Sequence, residues 1–323
     1  MNRLVPRVGF LLLSVMVVIL LGYTVYEAWL THPIAGMIVA VVLIGALAEI
    51  LQESRRVLFR ELPDLMQREG ILNGIAVTGG ALATYTLVCS VGLSAVNASA
   101  LVALIAALTL PEYDVPVYCG SFVGMSSALL LHTHWELAVA GVVAGLVYMV
   151  TDGTFPGIGG KLGTIAFIGA VITGLGLERQ FIIAPVPDGR LVFMIIAYAT
   201  IATVATYWLN VTRGHGAVIG STVVGLAGGL ILPAIYAETG PLLAVVVFCA
   251  SFTGMSSRER FPRFPMVVVI GLITGLVFVY STPLLGGAGG KLGTIAFGSA
   301  LAARGYMDLL ESRQTHSVEN AAT

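Results

Sequence analysis

The nine residues Gly159-Gly160-Lys161-Leu162-Gly163-Thr164-Ile165-Ala166-Phe167 return unchanged from Gly289 to Phe297. An internal match of this kind is read before any local motif, because it reports how the chain was assembled. The interval between the copies far exceeds the roughly 20 to 50 residues of solenoid repeats, so each copy belongs to a unit of several helices. Lys161 and Lys291 are also the only lysines in the chain, every other basic side chain among its 16 Lys and Arg residues being arginine. Both sit in glycine-rich, otherwise apolar surroundings.

The rest of the sequence says where such units must live. It is 57% hydrophobic and 10% charged, with mean hydropathy +0.96, against about 25% charged for a soluble domain. Apolar runs near the roughly 20 residues that cross a bilayer recur throughout. They are continuous in Leu, Val, Ile, Ala and Gly rather than alternating, which excludes a β-barrel. A net charge of −1 excludes a nucleic-acid partner, which needs a concentrated basic surface. Cys89, Cys119 and Cys249 lack metal-type or disulfide-framework spacing. Neither cofactor nor metal is implied.

Arg3 and Arg7 precede an apolar run from Val8 to about Leu30, too long for a signal peptide and read as an uncleaved first helix. A second spans Ile34 to Leu51. The segment from Glu53 to Glu69 carries Arg55, Arg56, Arg60 and Arg68 and reads as a cytoplasmic loop, either an amphipathic interfacial helix or a solvated linker. Two matching units follow. Ala83-Thr84-Tyr85 aligns with Ala205-Thr206-Tyr207, and Cys119-Gly-Ser-Phe-Val-Gly-Met-Ser-Ser127 with Cys249-Ala-Ser-Phe-Thr-Gly-Met-Ser-Ser257. One insertion near Tyr236 to Gly240 reconciles them.

Each unit divides into five apolar segments, roughly 71–93, 96–110, 116–131, 137–151 and 161–177, then 190–210, 217–232, 241–256, 264–281 and 291–303. The expected fold is therefore an all-α polytopic membrane protein of about 12 transmembrane segments arranged 2 + 5 + 5. Its regions are residues 1–70 (two helices and linker), 71–189 and 190–305 (the units) and 306–323 (a polar tail). An odd count turns the second unit over, which predicts an inverted repeat with broken or re-entrant helices at the glycines. Charge agrees: Arg213, Arg258, Arg260, Arg263, Arg304 and Arg313 fall on the Arg55–Arg68 side, whereas the matching first-unit loop His132–Glu136 has no Lys or Arg. Only Arg179 and Arg190 fall outside. Both termini are then cytoplasmic, in a multi-pass membrane protein that lacks organellar targeting features and so fits a prokaryotic cytoplasmic membrane.

A helix that starts just after a glycine break leaves its first N–H groups unpaired and carries partial positive charge, to which a lysine adds a full one. The expectation is a small-anion transporter or channel in which Gly160, Lys161, Gly163, Thr164 and Phe167, with Gly290, Lys291, Gly293, Thr294 and Phe297, line a pathway between the units, Ser121 and Ser251 adding hydroxyls. The competing reading gives each lysine to an interfacial headgroup and the glycines to tight packing. A nucleotide loop is excluded, because Phe155 and Leu285 stand where its first glycine belongs and Leu162 and Leu292 where its Ser/Thr belongs. His132, His134 and Glu136 form a faint metal signal, Tyr85 and Tyr207 read as interhelical hydrogen-bonders, and Glu49 as a paired or interfacial carboxylate rather than a proton relay. No catalytic constellation is visible, so no enzyme is expected. The 5 + 5 arrangement is similar to urea and ammonium transporters in architecture alone, without their motifs, so a neutral-solute channel is the alternative. A non-transporting scaffold subunit is another, and a homo-oligomer is compatible with each.

Overall fold

Glycines decide how closely several helices of this chain pass. The computed structural model describes residues 4–58 and 68–322. Among them are twelve α-helices and no strand: α1 (Leu4–Thr31), α2 (Pro33–Leu58), α3 (Arg68–Thr86), α4 (Ala95–Thr109), α5 (Asp114–Gly124), α6 (His134–Val150), α7 (Lys161–Gly176), α8 (Gly189–Tyr207), α9 (Ala217–Ile235), α10 (Gly240–Gly254), α11 (Phe264–Ser281) and α12 (Lys291–Ala322). Six segments are long and apolar enough to cross a membrane: within α1, α2, α9 and α11, and in α3 and α8 together with the π-helical turns that end them. The apolar α4, α6, α7 and α10 are shorter, and α5 has only 11 residues. Arg60 and most of the expected linker lie outside the described residues, while α12 continues through the stretch expected as a tail.

The ten unit helices fall close to the ten apolar segments. In both units the first helix ends in a π-helical turn, Leu87–Val91 and Trp208–Thr212. The third segment is the main departure: α5 stops at Gly124, and residues 125–131 turn away so that the Ser127 N–H can reach the carbonyl of Gly287, 2.8 Å away. α6 starts on a side-chain cap, Thr133 accepting from the Glu136 N–H at 3.2 Å while the Glu136 carboxylate accepts from the His132 N–H at 2.7 Å. That reciprocal arrangement satisfies N–H groups a helix start would otherwise strand.

Packing within the units matches position by position. α6 runs back along α3 with Gly145 against Gly74 and Gly141 against Thr78, and α11 runs back along α8 with Gly275 against Ile196 and Gly271 against Thr200. Gly124 lies on Ala81 and Thr84, as Gly254 lies on Thr203 and Thr206. Small residues are what let helix backbones approach this closely in an apolar setting. The α1–α2 hairpin packs outside the units. α2 crosses α12 where Gly45 meets Gly305, and the Tyr306 hydroxyl donates to the Val41 carbonyl at 2.7 Å.

The units meet where α7 crosses α12. Gly160 faces Gly293 and Phe297, Gly163 faces Gly293, and Gly290 faces Gly163 and Phe167. Rising numbers on one helix oppose falling numbers on the other, so the two pass in opposite senses. A Cβ built on Gly163 would stand 2.5 Å from the Gly293 Cα, against backbone that cannot step aside. Gly163→Val should therefore lower thermal stability by about 1–3 kcal/mol or more through overpacking. Gly22→Ala, where the added methyl meets nothing within 4 Å, should leave stability unchanged or raise it by up to about 1 kcal/mol. Thermal melts of the purified variants in detergent read both.

Candidate functional site

The loops entering α7 and α12, residues 151–160 and 282–290, hold what the repeated motif builds. Both contain the same strained backbone. Phe155 and Leu285 sit at φ 46° and 44°, and the N-cap glycines Gly160 and Gly290 at φ 88° and 90°. A bulky residue at positive φ persists only where its surroundings impose it. Here the surroundings come from the other unit. Gly159 N–H donates to Ser256 Oγ and Gly289 N–H to Ser126 Oγ, both at 3.0 Å, and Ser257 N–H donates to the Gly157 carbonyl at 2.9 Å as Ser127 does to Gly287. Each glycine loop is therefore fastened to the turn after the partner unit's third helix.

The lysines turn towards carbonyls. Lys161 Nζ donates to Thr154 O at 3.1 Å and Lys291 Nζ to Thr282 O at 2.8 Å. Those carbonyls lie just beyond the C-terminal ends of α6 and α11, where unpaired carbonyls and the negative end of the dipole favour a cation. Both lysines are half-buried. The thiols of Cys119 and Cys249 donate to the carbonyls of Leu162 and Leu292 at 3.3 and 3.2 Å.

The remaining expected site residues are packed in. Thr164, Thr294, Phe167 and Phe297 are fully buried. Thr164 Oγ1 returns to the Gly160 carbonyl at 3.4 Å, while Thr294 Oγ1 has no partner among the described residues. Phe297 meets Phe155 edge-on at 5.3 Å. Ser121 pairs with Ser99 at 2.8 Å, and Ser251 with Ser221 at 2.7 Å, the Tyr118 hydroxyl reaching Ser221 from the other unit at 2.8 Å. Tyr85 and Tyr207 donate to the carbonyls of Leu131 and Phe261. Glu136 is taken up by Arg179 at 2.8 Å, and the His134 ring packs edge-on against Tyr85. Among the described residues no group of three His, Cys, Asp or Glu side chains could hold a metal ion.

A cavity of about 300 Å³ opens beside Lys291. Residues 286–290 form one wall, Leu242, Val245 and Phe278 the apolar side, and Ser127 of the other unit a polar edge. Among the described residues no Asp or Glu lines it. The centre between the units is closed by four buried rings, Tyr118, Phe122, Phe248 and Phe252, with Phe122 and Phe252 centroids 4.6 Å apart. The crossing, the serine latches, the lysine–carbonyl contacts and this cavity together make up the candidate site.

Two parts of that site escape a reading of the motif alone. Ser126 and Ser256 lie in the second repeated element, but their role depends on which glycine N–H they face. An arginine pairing with α2 is equally hidden: Arg260 reaches Glu49 at 3.1 Å and donates to the Pro156 carbonyl at 2.8 Å.

No family model matches the chain, and no curated protein or solved structure matches it either.

Ser126→Ala and Ser256→Ala each strand one buried glycine N–H, at a cost of about 1–3 kcal/mol. Melting curves should show losses of similar size in the two variants, because the contacts are equal in length. A neutral result in either would mean the latch is not formed.

Proposed function

We propose that the protein is an integral membrane transporter of a small anion, with Lys291 as a binding residue and Lys161 as its counterpart in the other unit. The observation that carries this reading is the cavity beside Lys291, built from both units, walled by apolar side chains and backbone, and without a carboxylate. An ammonium in such surroundings attracts anions and opposes cations. Its contact with Thr282 O uses one of three donor hydrogens, so a ligand can be met without breaking it. Small size follows from the cavity volume.

The opposed crossing of α7 and α12 supports an inverted repeat, since two copies related by an axis in the membrane plane must run their equivalent helices in opposite senses. The arginine bias of the matching loops points the same way. In this reading both termini are cytoplasmic. The closed ring cluster between the units then separates the two sides.

A second reading has its own support. Gly160, Gly163, Gly290 and Gly293 are all consumed in the crossing, which is what a scaffold subunit with no transport role would need from them.

Two measurements separate these. In a background with Cys89 replaced by serine, His132→Cys and Pro262→Cys occupy matching exposed positions of the two units. An impermeant thiol reagent should label them from opposite faces of membrane vesicles; labelling from one face rejects the inverted arrangement. Liposomes holding the protein should take up chloride, acetate or phosphate faster than protein-free liposomes. Lys291→Ala should cut that uptake by about tenfold or more, as expected for loss of a charge-assisted contact. No uptake of any of the three leaves the scaffold reading standing.

A further inference from the structure

The motif is the same in both units, but the surroundings of its two lysines are not. Matched through the repeat, Leu242, Phe278 and Thr282 beside Lys291 correspond to Glu112, Tyr148 and Asp152 on the Lys161 side. Two exposed carboxyls thus stand at positions where the Lys291 cavity has an apolar wall and a hydroxyl. Among the described residues Lys291 is the one charged side chain on the lining of that cavity. Leu242, Val245 and Phe278 make its opposite character, a surface of hydrocarbon alone.

The polar edge is narrow. Ser281 Oγ donates to Phe278 O at 3.2 Å, and Thr282 Oγ1 to Phe278 O and Val279 O at 3.0 and 2.9 Å, so both hydroxyl hydrogens are committed to the backbone of α11. Ser127 Oγ accepts from the Leu129 N–H at 3.1 Å, and a hydroxyl that accepts still carries a hydrogen to donate. The side-chain donors on offer are therefore the Lys291 ammonium and the Ser127 hydroxyl, and the start of α12 adds partial positive charge beside them. These features select among anions. Sulfate or doubly ionised phosphate brings a second charge that no lining residue matches, and an unmatched charge against apolar walls is costly. Chloride would meet the ammonium and leave the apolar side uncovered. A carboxylate brings one charge and two oxygens, enough for the ammonium and the hydroxyl, and a short hydrocarbon chain behind it covers the rest.

We infer that the ligand of the Lys291 cavity is a small monocarboxylate, its carboxylate held by Lys291 and Ser127 and its apolar chain lying on Leu242, Val245 and Phe278. This names the substrate class of the site proposed above and rests on the anion-transport reading for its physiological consequence. The volume of about 300 Å³ is at the lower end of the roughly 300–1,000 Å³ typical of small-molecule sites, which limits the chain to a few carbons. The two units then divide the work. Carboxyls at the matching positions of the first unit disfavour the same ligand there, and Lys161 holds its own loop through the Thr154 carbonyl.

Titration calorimetry of the full chain in lipid nanodiscs, with empty nanodiscs as the blank, reads binding without transport. From acetate to propionate to butyrate, affinity should rise about two- to fourfold per methylene, the upper figure corresponding to roughly 0.8 kcal/mol for complete burial. Butyramide, which keeps the chain and lacks the charge, should bind about tenfold or more weakly than butyrate. Phosphate and chloride should also bind more weakly than butyrate. Leu242→Ala should reduce the gain per methylene to less than about twofold, and Leu242→Glu, which installs the first unit's residue, should weaken butyrate by about tenfold. An affinity that does not rise with chain length in the wild type, or phosphate or chloride binding more tightly than butyrate, overturns the inference whether or not the variants fold. Affinity that keeps climbing through decanoate overturns it too, because the occupant is then a membrane fatty acid. If the series behaves as expected while liposomes take up no anion, the transport reading alone falls. If liposomes take up chloride or phosphate and the series is flat, the substrate class alone falls.

Discussion

The direct contact of two helix backbones at Gly163 and Gly293 is the constraint from which the other features of the core follow. Helices approach this closely only where no side chain intervenes, so glycine is required on the touching face. Gly160 and Gly163 supply one turn of that face, and Gly290 and Gly293 the other. The residues between them must point elsewhere, and each finds a use. Lys161 turns back to a carbonyl, the Leu162 carbonyl takes the Cys119 thiol, and Gly159 gives its N–H to Ser256. Because the contacts are reciprocal, a change in one copy strains the other. That explains why nine successive residues are identical in units whose other segments differ widely.

The two glycine loops are equivalent in shape but not in how they are restrained. Loop 282–290 is held by Lys291 and by a short antiparallel bridge in which Ile182 and Gly286 exchange hydrogen bonds of 2.8 and 3.0 Å. Loop 151–160 is held by Lys161, Glu53 and Arg260, an ionic clamp supplied largely by the N-terminal hairpin and the second unit. Withdrawing charges from water costs several kcal/mol per ion before pairing repays it. Such a clamp therefore contributes little net stability. What it contributes is position, and a dependence on charge state that the backbone bridge lacks.

Much of this was legible in one sequence. Apolar runs located the starts of the ten unit helices to within a few residues, though not the ends of α5 and α12, because a helix buried or lipid-facing all round needs a continuous apolar stretch and the breaks carry Gly, Pro or charge. The glycine breaks before Lys161 and Lys291 were also visible. The direction of the lysines was not. A helix N-terminus and a neighbouring C-terminus both lie within reach of a lysine at the first helical position, and only the fold shows that carbonyls win. Residues 125–131 read as helix because they are apolar enough, but the Ser127 N–H has a better partner in Gly287. Glu49 was readable as a paired carboxylate, but not that Arg260, far away in sequence, is the partner, or that one oxygen is left over.

The same geometry bears on why a lysine rather than an arginine stands at these two positions. An arginine's planar fork spreads its donors and would need several acceptors beside the crossing, where backbone already meets backbone. A single ammonium on a flexible stem can satisfy one carbonyl with one of its three donors. Around Lys291 those donors lie by a cavity with Ser127 and Thr282 on its lining and no competing carboxylate. The residue can therefore neutralise the end of α11 while standing on the cavity lining. An arginine chosen to anchor α11 to lipid headgroups would serve the first purpose alone, and fourteen arginines elsewhere in the chain show that the sequence does not avoid that residue.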